Sequence, residues 1–386
     1  MASYASSPIP HGRTAPIAIA PALRVRADPW PDIAEAAEPA WERLAAQASE
    51  PSPFLEPWGL LPALRALDPQ GTARLLRFEH QGELVGLFPV AASRSYYGRP
   101  IPHLHGWSHA NAFLGAPLVA AGHERAFWTA LLEWADRNAG LALFLHLVDL
   151  PLAGPLHAAL AGVLAEQHRT SGVVHRTNRA MLCSAETPEA YLAGSLSGKK
   201  RKELRRQATR LGELGAVTSE RRHDAEGLDA WTDAFLALER AGWKGKAGSA
   251  LASQAETTAL FRATLAGAAA RGKLERLALR LDGRPIAMLA TFLTPPGAFS
   301  YKTAFDEDYA RFSPGVQLQC ENLQILDRPD IAWIDSCAAA DHPMIDHIWR
   351  ERREVGRVSI AIGGRLRRAL FDAILGREMR GQDGAS

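Results

Sequence analysis

The chain has 386 residues, an apolar fraction of 47% and a charged fraction of 22%, proportions of a globular protein too long for one ordinary domain. Its 44 lysines and arginines against 42 acidic residues leave a formal charge of +2, which argues against the whole-molecule basic field of a dedicated nucleic-acid binder. Three scattered cysteines, Cys183, Cys320 and Cys337, have no C-x-x-C spacing and suit free thiols in a reducing compartment, and no run approaches the ~20 apolar residues of a membrane span.

Residues 1–29, rich in Ala, Pro and Ser, read as a flexible arm without a signal layout. Residues 31–48 read as a helix, and PSPFLEPWGLLPALRAL as a turn into another. ARLLRFEHQGELVGLFPVA (73–91) reads as a hairpin turning at Gly82, followed by a Pro- and His-containing stretch. His103, His105 and His109 in that stretch lack the Cys or Glu partners of a zinc motif, so we expect no metal. HERAFWTALLEWADRN is an amphipathic helix, LALFLHLVDL a buried strand, PLHAALAGVLAEQ a helix and VVHRTNRAMLC a strand. Next comes SLSGKKRKELRRQATRLGELG, a helix starting near Ser197 with seven basic residues before Glu213 opposed by Glu203 alone. We place a boundary here. Residues 30–194 form one domain and 195–386 a second, with 197–212 as a basic linking helix. That helix suits donor phosphates or an anionic lipid surface better than nucleic acid, because no aromatics interleave for base stacking.

The second half runs helix (GLDAWTDAFLALERA), glycine-rich loop (GWKGKAGSALA), helix (TTALFRATLAGAAARG), then a second hairpin, LERLALRLDGRPIAMLATFLT. Leu277, Leu279 and Leu281 alternate with polar or small residues, and Asp282-Gly283 supplies the positive φ angles of a tight turn. This hairpin resembles residues 73–91, with Gly283 matching Gly82, which suggests a duplication. A strand AFSYKTAFD follows, then a helix opening at Ser313-Pro314-Gly315, with Ser313 as N-cap and Pro314 at the first position. A strand delivering a glycine to a helix N-terminus makes an anion site, and that order suggests a pyrophosphate-bearing donor such as coenzyme A. IAWID reads as a strand ending at Asp335, HPMIDHIWRER as a helix with Asp341 as N-cap, GRVSIAI as a strand and RLRRALFDAILGREMR as a basic C-terminal helix. The alternation calls for mixed α/β architecture in each half.

The strings SGKKRKELRRQATRL, ALERAGWKGKAG, LRLDGRPIAMLATF and YKTAFDEDYARFSPGVQLQ together resemble the CelD-type bacterial acetyltransferases, a tandem GNAT-fold family similar to the Fem-type transferases. The resemblance spans roughly residues 30–370 and is densest over 195–350. It implies two GNAT-like domains, the N-terminal one degenerate, and acyl-coenzyme A as co-substrate without a metal. It also implies transfer of the acyl group to a primary amine of a cell-envelope molecule, either a long-chain amine such as a sphingoid base or an amino sugar of a polysaccharide. The phosphate loop departs from the family's [QR]-x-x-G-x-[GA]. Phe312 stands where Gln or Arg is expected, Arg311 is one residue early, and Gln317 replaces the second small residue.

On this reading Arg311, Ser313, Gly315 and Val316 hold the donor. Asp335 or His342 takes the amine proton, Tyr301 acts as general acid at the thioester, and Trp243, Lys244 and Tyr309 contact substrate. Asp335 and Tyr301 serve equally well as structural residues. The C-terminal helix either docks on the domain or lies on an anionic membrane. A cytoplasmic location is expected, with peripheral contact at the inner membrane as an option. Two rivals remain open: an aminoacyl-tRNA-dependent Fem-like transferase, and a catalytically silent binding module of a polysaccharide synthesis system.

Overall fold

The computed structural model describes residues 23–383. In the first half, β1 (Arg24–Pro29) leads into α1 (Trp30–Ala46) and α2 (Pro57–Leu67), then β2 (Arg74–His80), β3 (Glu83–Ser93), β4 (His103–Gly106) and the short β5 (Leu118–Val119). It continues with α3 (Glu124–Asn138), β6 (Phe144–Pro151), α4 (Gly154–Glu166), β7 (Ser171–Leu182) and α5 (Pro188–Ser195). The basic helix α6 (Gly198–Gly212) begins where Ser197 accepts the N–H of Lys200 through its hydroxyl, the capping expected of that residue. The second half comprises β8 (Val217–Arg222), α7 (Leu228–Ala241), α8 (Trp243–Lys246), α9 (Ala255–Ala269), β9 (Leu274–Leu281), β10 (Arg284–Thr294), β11 (Gly297–Phe305), α10 (Pro314–Asn322) and β12 (Trp333–Asp335). It closes with β13 (Glu351–Ala361) and α11 (Arg365–Asp383).

All strands join one sheet in the order β1-β2-β3-β4-β6-β13-β7-β12-β11-β10-β9-β8, with β5 beside β3. The run β1-β2-β3-β4-β6 has three antiparallel pairings and then a parallel one, and β8-β9-β10-β11-β12 repeats that sequence of pairings. The two hairpins that resemble each other in sequence occupy the same place in each run. Their turns match too: Gln81 and Gly82 have φ of 50° and 88°, and Asp282 and Gly283 have φ of 48° and 80°. Both central residues are left-handed, which only a glycine at the second position tolerates easily.

The halves are tied in two ways. β13, near the end of the chain, inserts between β6 and β7 of the first half and pairs with both antiparallel. One hydrophobic core also spans them, joining Phe54, Trp58 and Phe127 to Phe235, Phe261 and Phe292. Trp58 meets Phe292 edge-on at 4.9 Å.

Two expectations change here. The expected arm runs through residue 29, yet Arg24–Pro29 is a strand pairing with β2; residues 1–22 lie outside the described residues. HPMIDHIWRER is not a helix but a turn in which Ile345 and Asp346 both donate to His342 O. Ile345, Ile348 and Trp349 pin it down by burial, and the period-2 pattern of Glu351 onward draws the next residues into β13. Asp341 therefore caps nothing; it sits in a left-handed conformation, φ 59°.

Candidate active site

The two runs end differently at the strands that pair in parallel. β11 and β12 are paired only over Gly297–Phe299 and Trp333–Asp335. Beyond that point β11 continues while the other chain turns away, and Tyr301 is an extra, unpaired residue on β11 against β10, a bulge of the kind that bends a strand. The parting opens a cleft of about 280 Å³ between Ser300–Phe305 and Ser336–Ala339, closed at the sides by Glu239, Trp243, Lys244, His342 and Met344. In the first half the matching wedge beside β4 is filled by residues 107–115, leaving only about 10 Å³. The first half thus repeats the strand arrangement of the second with its wedge shut.

Lys302, on β11, lines the cleft. It is half-buried, its Nζ donates to Asn111 Oδ1 at 2.8 Å and lies 4.9 Å from the centre of the Phe113 ring. Burial, and secondarily the positive charge of Lys244, lower its pKa from 10.5 to about 8. Asn111 and Phe113 come from the loop that plugs the first half, so the plug of one wedge forms a wall of the other. His109 in that plug accepts Asn111 N–H on Nδ1 and is lowered to about 4 by burial and by Lys302. It is neutral at neutral pH.

His342 lines the cleft as expected. Its Nδ1 is buried without a protein partner, and burial, then Lys244, holds its pKa below the ordinary value. A neutral imidazole able to accept a proton results. Lys244 itself is clamped by Glu239 at 2.8 Å, and Glu239 also accepts Leu251 N–H. Trp243 is exposed at the mouth, with its N–H on Glu307.

Asp335 does not face the cleft. It is fully buried, and Arg179 at 2.6 Å, Arg353 at 3.1 Å and the N–H of Cys337 at 2.9 Å occupy its carboxylate. Arg179 also donates to Phe113 O, and Arg353 to Glu50. This network ties β7, β12 and β13 together beneath the cleft. Asp335 is held in this network and is absent from the cleft lining, which includes His342; the base role expected of either residue is therefore open to His342 alone. Tyr301 borders the cleft but stacks on Phe292 at 4.5 Å within the shared core. Burial pushes its phenol well above the usual value, so it stays protonated and serves chiefly as packing. Tyr309 packs with the group around Leu289 and Phe312, outside the cleft lining.

The donor residues are divided. Ser313 precedes α10 in a left-handed conformation, φ 53°, and makes no side-chain cap. Gly315 is buried, not superficial: a Cβ there would lie 2.5 Å from Met344 Sδ and 3.3 Å from Phe305. Val316 packs beside the Leu323 and Ile325 group. Arg311 is exposed over the Phe312 ring and shares a groove of about 300 Å³ with Arg206 and Arg210 of α6. Gln207 fixes that contact by donating to Arg311 O. Arg206 is held by Glu203, whereas Arg210 and Arg311 have no ion-pair partner among the described residues.

Ser300 Oγ and His342 Nδ1, both in the cleft wall, are buried without protein partners, so the cleft offers hydrogen-bonding positions to a polar ligand. Sequence reasoning missed Lys302, although a lone lysine inside the apolar strand AFSYKTAF was a visible signal. Nothing local could have announced Asn111 or Phe113, which arrive from some 190 residues away.

Fold and site together define a mixed α/β protein in which one arrangement of strands occurs twice within a single sheet. Residues 198–342 match the family model described as an acetyltransferase (GNAT) domain, a segment running from the start of α6 to His342. FemX has a similar solved structure, with a TM-score of 0.54 at 11% identity over 87% of this chain and 98% of that one. A conserved protein of unknown function from Bacteroides thetaiotaomicron VPI-5482 gives 0.54 at 12% identity, over 84% and 97%. No curated protein matches the sequence.

Proposed function

We propose that the chain is an acyl-coenzyme A-dependent N-acyltransferase of the CelD type, acting on a primary amine of a cell-envelope molecule, a long-chain amine or an amino sugar. The observation that carries this reading is the cleft between β11 and β12 with Lys302 and His342 in its walls. His342 accepts the amine proton as nitrogen attacks the acyl carbonyl. The Lys302 ammonium, mostly charged at neutral pH, faces the negative charge that develops on the carbonyl oxygen and can protonate the departing thiolate. Lys302 and Lys244 also disfavour a protonated amine beside them, so the acceptor enters in its nucleophilic form. The donor's phosphates fall to Arg210, Arg311 and the first-turn N–H groups of α10, which have no acceptor within the helix.

We read residues 30–194 and 195–386 as the two domains, with α6 between them and β13 lent back to the first. The basic groove of α6 favours one second reading, an aminoacyl-tRNA donor. Calorimetric titration with acyl-coenzyme A and, separately, with tRNA at rising salt distinguishes the two. Heat with the thioester and none with tRNA supports the proposal; tight salt-sensitive tRNA binding alone refutes it.

A further inference from the structure

Seven large hydrophobic side chains are exposed among the described residues, and five of them, Tyr97, Leu141, Leu366, Leu370 and Met379, lie on or beside α11. Leu366 is 85% exposed and Leu370 56%. One face of this helix is docked: Phe371 and Leu375 pack with Tyr96, Phe144 and Val174. The outer face carries Leu366, Ala369, Leu370 and Ala373 at helical i, i+3, i+4 and i+7 spacing, all exposed. Both flanks of that stripe are anchored to the body. Arg367 donates to Gly140 O, which sets Leu141 at the start of the helix. The Tyr96 hydroxyl donates to Glu378, which sets Tyr97 near its end. Exposed Arg365, Arg377 and Arg380 surround the stripe, and Arg377 shares a notch of about 290 Å³ with Arg99, Tyr97 and Ile374.

We propose that this face of α11, with Leu141 and Tyr97 at its flanks, seats the protein on an anionic phospholipid surface. The leucines enter the boundary between headgroups and acyl chains, and Arg365, Arg377, Arg380 and Arg99 meet lipid phosphates. An apolar stripe bordered by arginines fits that layered partner. A second copy of this chain fits poorly, because twofold self-pairing would set arginines against arginines. The helix lies on the surface rather than across it: no described helix is long and apolar enough to span a membrane. The inference is independent of the acyl-transfer chemistry, since no residue of the cleft takes part.

The test is co-sedimentation of the full chain with phosphatidylcholine vesicles, with or without phosphatidylglycerol, at low and high salt. Two variants on exposed positions accompany it, Leu366→Ser/Leu370→Ser and Arg365→Gln/Arg377→Gln/Arg380→Gln, with melting temperatures to confirm the fold. Wild type should bind the phosphatidylglycerol vesicles. The leucine variant should lose about tenfold or more in partitioning, and the arginine variant roughly fivefold per charge together with most of its salt dependence. Equal binding to both vesicle types overturns the proposal, as does a leucine variant that binds like wild type. A concentration-dependent dimer abolished by the leucine variant, with no vesicle binding, also overturns it in favour of self-association.

Discussion

Lys302 sits where stability and chemistry pull apart. Its pKa is lowered to about 8 from 10.5, first by burial and then by Lys244. Below about pH 8 the ammonium is charged in both folded and unfolded chains, so the full burial penalty is present. Between about 8 and 10.5 the unfolded chain binds more protons, and stability rises with pH. Lys302→Met should therefore be more stable than wild type at pH 7, by on the order of 1–3 kcal/mol. The difference should close toward pH 10.5 in denaturant titrations run across that range. The same variant should lose ~10²-fold or more in turnover, as removal of an oxyanion donor does, a trade expected of a strained functional group. His342→Ala should likewise slow turnover by ~10²–10⁴-fold while leaving the heat of donor binding near wild type. Equal rates in His342→Ala and wild type at pH 7 would remove the imidazole from the mechanism.

At the scale of elements, the buried carboxylate of Asp335 holds β7, β12 and β13 in place through Arg179 and Arg353. Asp335→Ala would leave the buried Arg179 guanidinium without its ion-pair partner and Arg353 with Glu50 alone, and should destabilise by about 3–5 kcal/mol, read as a large drop in melting temperature. A variant that melts like wild type but is inactive would return Asp335 to a direct chemical role. Gly315→Val should also destabilise, by about 1–3 kcal/mol, because Met344 and Phe305 already fill the space. Most elements were legible because each carried its own period or cap: the paired hairpins, the Ser197 cap of α6, and the Pro314 start of α10. β1 and the 342–349 turn were not. β1 gains its place only by pairing with β2, and the turn follows from where Ile345, Ile348 and Trp349 find burial. The cleft was half legible. His342 and the Tyr301 strand lie on it, but Asp335 fell behind it because its arginine partners come from β7 and β13, distant in sequence.

The whole molecule is a duplicated sheet with one open wedge and one plugged. Because β13 completes the first half's sheet and the core spans both halves, calorimetry should show a single unfolding transition. Removing residues 351–386 would leave the facing edges of β6 and β7 unpaired and should abolish soluble expression; two resolved transitions would refute this interlock. The plug at 107–115 leaves one open cleft in a sheet that repeats its strand arrangement, and the plug's Asn111 and Phe113 contact the lysine of the other wedge. On the proposed function, this cleft transfers an acyl group from a coenzyme A thioester to an amine. Its most direct test is mass spectrometry of purified protein incubated with acyl-coenzyme A donors of graded length and a panel of long-chain amines and amino sugars. An amide product with stoichiometric release of free coenzyme A is expected, formed at least a hundredfold more slowly by Lys302→Met. No amide from any pair, or equal rates from Lys302→Met and wild type, would contradict it.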